Sequence, residues 1–149
     1  MALMLPDHHR RLADAGRALL ACAHTDDSRE LIEAWRALET ELLDHMAAEE
    51  EIILPGYAKH APDDAKRIAS DHARIREIAS ALGLDVELHE ARITRLERLI
   101  GALEAHARHE DAVMYPWAQA NLSEVAQHLL MARIGRWLAL ATPLQHLAP

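Results

Sequence analysis

The sequence predicts an all-α protein: an up-down-up-down antiparallel four-helix bundle with an additional C-terminal helix. Three observations carry this reading. Half of the 149 residues are apolar, with Leu and Ala dominant and few β-branched runs, a composition suited to helix. Four long stretches place apolar residues on one face at alternating steps of three and four. The second pair of stretches also repeats the first: aligning His9 with His72 pairs Leu5 with Ile68, Leu12 with Ile75, Gly16 with Ala79 and Leu19 with Leu82. Each half reads as a helix with one inward His, a turn, then a helix with an inward His and Glu. Short connections make neighbouring helices antiparallel.

Pro6 suits the first turn of the first helix, whose inner face is Leu5, His9, Leu12, Gly16 and Leu19, ending near Ala23. The polar run His24 to Ser28 offers N-caps for the second helix. That helix carries Leu31, Trp35, Leu38, Leu42, His45, Glu49 and Ile52 on one seam, and Pro55-Gly56 is expected to kink or end it. After His60-Ala61-Pro62, the third helix presents Ala65, Ile68, His72, Ile75, Ala79 and Leu82, with Gly83 as its expected C-cap. A fourth, expected from about Asp85, carries Leu96, Leu99, Leu103, His106, Glu110, Val113 and Trp117. Ser123 caps a fifth helix to about Ala141, and Thr142 to Pro149 are expected to be poorly ordered. The bundle thus occupies residues 1–121, and the C-terminal helix and tail, 122–149, pack on the same domain.

Composition narrows the function. A net charge of −8 argues against nucleic acid or an anionic membrane surface as partner. The most apolar run, Val125 to Ala141, is interrupted by Gln127, His128, Arg133 and Arg136, so no membrane span is expected. With no secretory signal and a single Cys22, the expected location is the cytoplasm. The C-terminal helix is the expected surface for a homodimer.

The eleven histidines call for an explanation. His45 and Glu49, and again His106 and Glu110, lie four residues apart, one helical turn, at positions where the seam demands core residues. A second acid follows each Glu (Glu50, Asp111), and a Pro closes each run ten residues after the His (Pro55, Pro116). Buried carboxylates are costly without partners, so two such pairs facing each other point to a metal site. The set is His9, His45, Glu49, His72, His106 and Glu110. His8 competes with His9, and the duplication favours His9 because His8 then takes the place of Asp71. Imidazole with carboxylate suits iron, with Zn and Mn as alternatives. Two glutamates can each bridge a pair of ions while the histidines fill terminal positions.

The arrangement H…HxxxE…H…HxxxE resembles the hemerythrin-like (HHE cation-binding) family over about Pro6 to Asn121. The resemblance implies a non-haem diiron centre of two iron ions inside a four-helix bundle. It also implies His9, His45, His72 and His106 as terminal ligands, and Glu49 and Glu110 as bridges. Oxygen carriers of this family have a fifth His one turn after the third-helix His, where this chain has Arg76; His109, near the inner face, is read as a solvated surface residue, with a supporting role or a fifth nitrogen ligand as the alternatives. The family's usual Phe before Pro is Leu54 or Tyr115 here, and Tyr57 and Tyr115 are expected to pack rather than take part in chemistry. The expected function is binding of, or reaction with, oxygen, peroxide or nitric oxide, without reversible oxygen storage. A non-catalytic iron or oxygen sensor, or an iron-handling module, is the alternative.

Overall fold

The computed structural model describes residues 4–25, 28–87 and 93–139, and among these there is no strand. Helix α1 spans Leu5–Ala23 and α2 spans Ser28–Ala48. A π-helical turn, Glu49–Ile53, leads into α3 (Leu54–His60), and α4 spans Pro62–Glu87. After α5 (Ile93–His109), a second π turn, Glu110–Met114, leads into α6 (Tyr115–Asn121), and α7 spans Glu124–Ala139.

The duplication read in the sequence is repeated in the backbone, since each π turn begins at the Glu of an HxxxE pair. In each, the residue before the Pro bonds five positions back: the Leu54 N–H to the Glu49 carbonyl, and the Tyr115 N–H to the Glu110 carbonyl. The following Pro has no N–H to offer the helix ladder, and each sits in the first turn of the next α segment.

The seam accordingly changes phase. Closing a turn on five residues rather than four delays everything after it by one position. Ile53 and Met114 are fully buried, whereas Val113, expected on the seam, is 43% exposed. Pro55-Gly56 also fails to end the second helix. The chain continues through α3 and breaks at Ala61, whose backbone is extended (φ −137°, ψ 74°).

Two other boundaries differ from expectation. Gly83 lies inside α4, and Asp85–Glu87 complete that helix instead of opening the next. The role of Gly83 is close packing, because a Cβ there would lie 3.1 Å from the Trp35 Nε1. Ser123 does cap α7, its Oγ accepting from the Ala126 N–H at 3.2 Å. The proposed caps Asp26 and Asp27, and the tail beyond Ala139, lie outside the described residues.

Helix α1 contacts α2 and α5, and α4 contacts the same two, closing a ring of four; α7 packs on α1, α2 and the first π turn. The core within this ring is divided. One cluster, including Leu19, Leu31, Trp35, Leu82 and Leu96, fills one end. A second, including Leu5, Ile53, Ile68, Met114 and Leu130, fills the other. Each fully buried Leu or Ile contributes about 1.5–3 kcal/mol. Between the clusters lies a layer of buried polar side chains.

Candidate metal centre

The polar layer arises from the seams themselves. His9 sits one turn from Leu5 and Leu12, His72 one turn from Ile68 and Ile75, and the two HxxxE pairs lie between Leu42 and Ile53 and between Leu99 and Met114. All six predicted site residues are therefore buried: His72, Glu49 and Glu110 completely, His45, His106 and His9 at 2%, 7% and 9% exposure.

Their donor atoms converge in two groups. His9, His45, Glu49 and Glu110 form one, and Glu49, His72, His106 and Glu110 the other, with atoms in each within 4.8 Å of one another. Both glutamates belong to both groups. Within this space the His45 Nε2 lies 3.0 Å from Glu49 Oε1, and the His106 Nε2 lies 2.9 Å from Glu110 Oε1. The His72 Nε2 reaches both carboxylates, 3.2 Å from Glu49 and 3.5 Å from Glu110.

These close approaches leave hydrogen bonding unfinished. Glu49 Oε2, the Nε2 atoms of His72 and His106, and both Glu110 oxygens are sealed from water yet engage in no hydrogen bond among the described residues. Buried polar atoms are ordinarily paired, and two carboxylates facing each other without a cation are strongly disfavoured. Imidazole nitrogens and carboxylate oxygens aimed at common points are a donor set that fits divalent or trivalent transition-metal cations.

The opposite ring nitrogens point outward to fixed partners. The Nδ1 atoms of His9 and His72 meet Asp111 and Glu50, each at 2.9 Å, and that of His106 meets Asp71 at 3.3 Å. Such bonds fix the ring so that Nε2 faces the centre. His45 differs. Its Nδ1 meets the His8 Nδ1 at 2.6 Å, and the His8 Nε2 meets Glu41 at 2.8 Å, with the Arg11 guanidinium donating to the same carboxylate. His8 thus stands behind His45, and His9 enters the first group.

The duplication explains this pattern. The acid after each HxxxE Glu reaches the lone His of the other half, Glu50 to His72 and Asp111 to His9. The residue before each lone His, His8 or Asp71, supports the HxxxE His of its own half. The repeat of HxxxE followed by an acid is the mark that the role of Glu50 and Asp111 leaves in the sequence. Arg76, in the place of a fifth His, donates to both Glu50 oxygens at 2.7 and 2.9 Å. His109 lies outside both groups, its Nε2 paired with Asp64 at 2.8 Å.

Tyr115 packs, buried in the second apolar cluster, but its hydroxyl does more. The ring carries that hydroxyl into the first group, where it donates to Glu49 Oε1 and lies 2.9 Å from the His9 Nε2 and 3.2 Å from the His45 Nε2. The π turn brings it there, since a residue five positions beyond Glu110 would be rotated off the site by a regular α-helix. Burial, followed by the Glu49 and Glu110 charges, raises its phenol well above the ordinary range.

Electrostatics in the metal-free chain follow the same contacts. Burial opposes charging of His9 and His72, but the Asp111 and Glu110 carboxylates raise His9 to about 9, and Glu110 and Glu49 raise His72 to about 10. Burial also opposes ionisation of Glu110, yet His106, His72 and His9 hold it well below the usual carboxylate range. A cavity of about 280 Å³ opens beside His9, His45 and His106, with Leu12, Ala13 and Met46 among its walls.

Among the described residues, no helix is long and apolar enough to cross a membrane. No curated protein and no solved structure matches the chain. The model of the hemerythrin HHE cation-binding domain matches residues 3–118, most of the chain and all six converging residues. The chain belongs to the hemerythrin HHE cation-binding family.

Proposed function

We propose that this protein is a non-haem diiron protein that binds or reacts with small ligands such as oxygen, peroxide or nitric oxide. The observation that carries the reading is the pair of overlapping donor groups sharing Glu49 and Glu110, with five sealed atoms that complete no hydrogen bond aimed into them. His9 and His45 hold one cation, His72 and His106 the other, and the two glutamates serve both. The ring of α1, α2, α4 and α5 is read as the up-down-up-down antiparallel bundle of the family, with α7 as an addition on the same domain.

Bound iron supplies electrons and Lewis acidity to a small ligand. The protein's own contribution is to orient and to exclude. Asp111, Glu50, Asp71 and His8 hold the four imidazoles by their far nitrogens, so that each Nε2 stays turned inward. The apolar clusters on either side keep bulk water out of the layer. The cavity beside His9, His45 and His106 gives small uncharged molecules a route through apolar walls.

A second reading, a non-catalytic iron or oxygen sensor, has one observation in its favour. Helix α7 packs on the first π turn, and Arg133 donates to Glu51 within that turn at 2.6 Å. A change in the iron bound at Glu49 would be felt there. Elemental analysis of protein from iron-rich medium, with optical spectra after air and peroxide, tests the main reading. About two irons per chain and a spectrum that responds are expected, whereas a folded chain that takes up no metal overturns it.

A further inference from the structure

The two halves of the centre repeat one HxxxE-acid plan, and among the positions where they differ is the residue before the Pro. In the first half that residue is Leu54, partly buried against the apolar cluster. In the second it is Tyr115, 4% exposed, whose ring stacks on His9 with centroids 5.0 Å apart. Its oxygen lies within hydrogen-bonding distance of three of the four residues of the first group, and no contact ties it to His72 or His106. A phenol serving only to pack has no need to place its oxygen among ligand atoms. One serving to hold a ring in position would address the outward Nδ1, yet Tyr115 addresses the inward Nε2 of His9 and of His45.

Resting on the diiron reading above, we propose that Tyr115 is a seventh protein ligand, its phenolate oxygen binding the iron held by His9, His45 and Glu49. On binding, the O–H bond gives way to an O–Fe bond, and the proton leaves to solvent. No electron is transferred in this step. The consequence is asymmetry. The iron on the His9 side gains a hard anionic oxygen donor, which favours its ferric state, while the iron on the His72 side keeps only imidazoles and the shared carboxylates. The even division that two histidines for each ion and two shared glutamates would give no longer holds.

The chain has only two tyrosines, which makes the test clean. Tyr57 lies elsewhere, its hydroxyl donating to Asp64 at 2.7 Å. Metal-free wild type, Tyr57→Phe and Tyr115→Phe are loaded with ferrous iron and oxidised with ferricyanide. Iron content, visible absorption and resonance Raman spectra are then recorded, with and without ring-deuterated tyrosine. The expected result is a phenolate-to-iron charge-transfer band in wild type and Tyr57→Phe that is lost in Tyr115→Phe. Raman excitation in that band should show ring modes that shift on deuteration.

If Tyr115→Phe fails to hold iron, the Tyr57→Phe chain still decides the matter, because Tyr115 is then its sole tyrosine. Ring modes there support the assignment, and their absence overturns it. Wild type that binds iron without tyrosinate bands, or a band that survives in Tyr115→Phe, overturns the ligand while leaving the diiron reading intact. Wild type that takes up no iron overturns both.

Discussion

The two halves of the centre share a plan and differ in what supports it. In the second half, Asp71 alone supports the His106 ring from behind. In the first, a His stands in the equivalent place, so His45 rests on a chain of buried groups running through His8 to Glu41 and Arg11. The first half alone receives the Tyr115 hydroxyl, and its π turn is the one on which α7 packs. A duplicated hairpin makes two equivalent donor groups at once, and substitutions at a few positions then make them unequal. The shared part of the plan is where damage should be greatest, and the divergent parts are where the halves should respond differently.

The largest effect is expected from Glu110→Gln. The change keeps the shape but removes one charge common to both groups, so both ions should be lost or weakened together, with metal per chain falling from about two toward zero. Circular dichroism should show an intact helical fold. Loss of a single metal would mean that the glutamates are not shared. Next comes His9→Ala, expected to remove the first ion and spare the second, whereas His8→Ala acts only through His45. Loss of an outer partner of this kind typically weakens metal affinity by about 10- to 100-fold. The reverse ranking would rotate α1 by one residue and place His8 in the group.

Protonation offers a test of both halves at once. In the metal-free chain His9 titrates at about 9 and His72 at about 10, both raised above 6.5, and each half contributes one of these rings. Stability from their charged forms is fully present below pH 6.5 and is lost as pH rises through those values. Metal binding needs the neutral rings, so uptake at pH 7 should release about two protons from this pair. Apparent affinity should therefore increase with pH up to about 9 to 10. A pH-independent affinity between 6 and 9 would contradict this.

The cavity adjoins three of the four histidines but not His72, which lies deeper. Ala13→Phe, on α1 and outside both donor groups, should narrow it. Reaction of the reduced protein with oxygen or nitric oxide is expected to slow several-fold in stopped flow, with metal content unchanged. An unaltered rate would place the entry route elsewhere.

The six converging residues were legible in the sequence because charged and ionisable side chains interrupted apolar seams twice at the same spacing. Helical periodicity reports which side chains face inward, and for α1, α2, α4 and α5 it did so with few misplacements. It could not report the π turns, which depend on a backbone bond five residues long and which move the buried face from Val113 to Met114. The approach of the Tyr115 hydroxyl was hidden for that reason, as its position on a regular helix would carry it away from the site. The outward partner Asp71 was equally hidden, since a contact between helices leaves no mark in the spacing along one of them. Gly83 misled because glycine is common at helix ends, whereas here its lack of a side chain makes room for Trp35.

The smallest expected effect concerns the helix that the duplication does not generate. Asp44, on α2 one residue before His45, accepts from three groups of α7: the Arg133 Nε at 2.9 Å, the Arg136 Nη2 at 3.1 Å and the Trp137 Nε1 at 2.6 Å. Burial of this carboxylate opposes its ionisation, but Trp137 and Arg133 outweigh that and hold it below its ordinary 3.8. A depressed carboxylate contributes stability that is present above pH 3.8 and is lost as pH falls through the folded value. Asp44→Asn keeps a partner for the indole but removes the charge, so a loss of about 1 kcal/mol is expected, well short of unfolding. Because α7 packs on the first half, the change should be felt at the ion proposed for His9 and His45 and not at its neighbour. The comparison to make is the denaturation midpoint and the spectrum of the iron-loaded variant beside those of wild type. A lower midpoint with an unchanged spectrum would make α7 a passive cover. A change in the first iron's signature without loss of metal would support the sensing route through the π turn at Glu49.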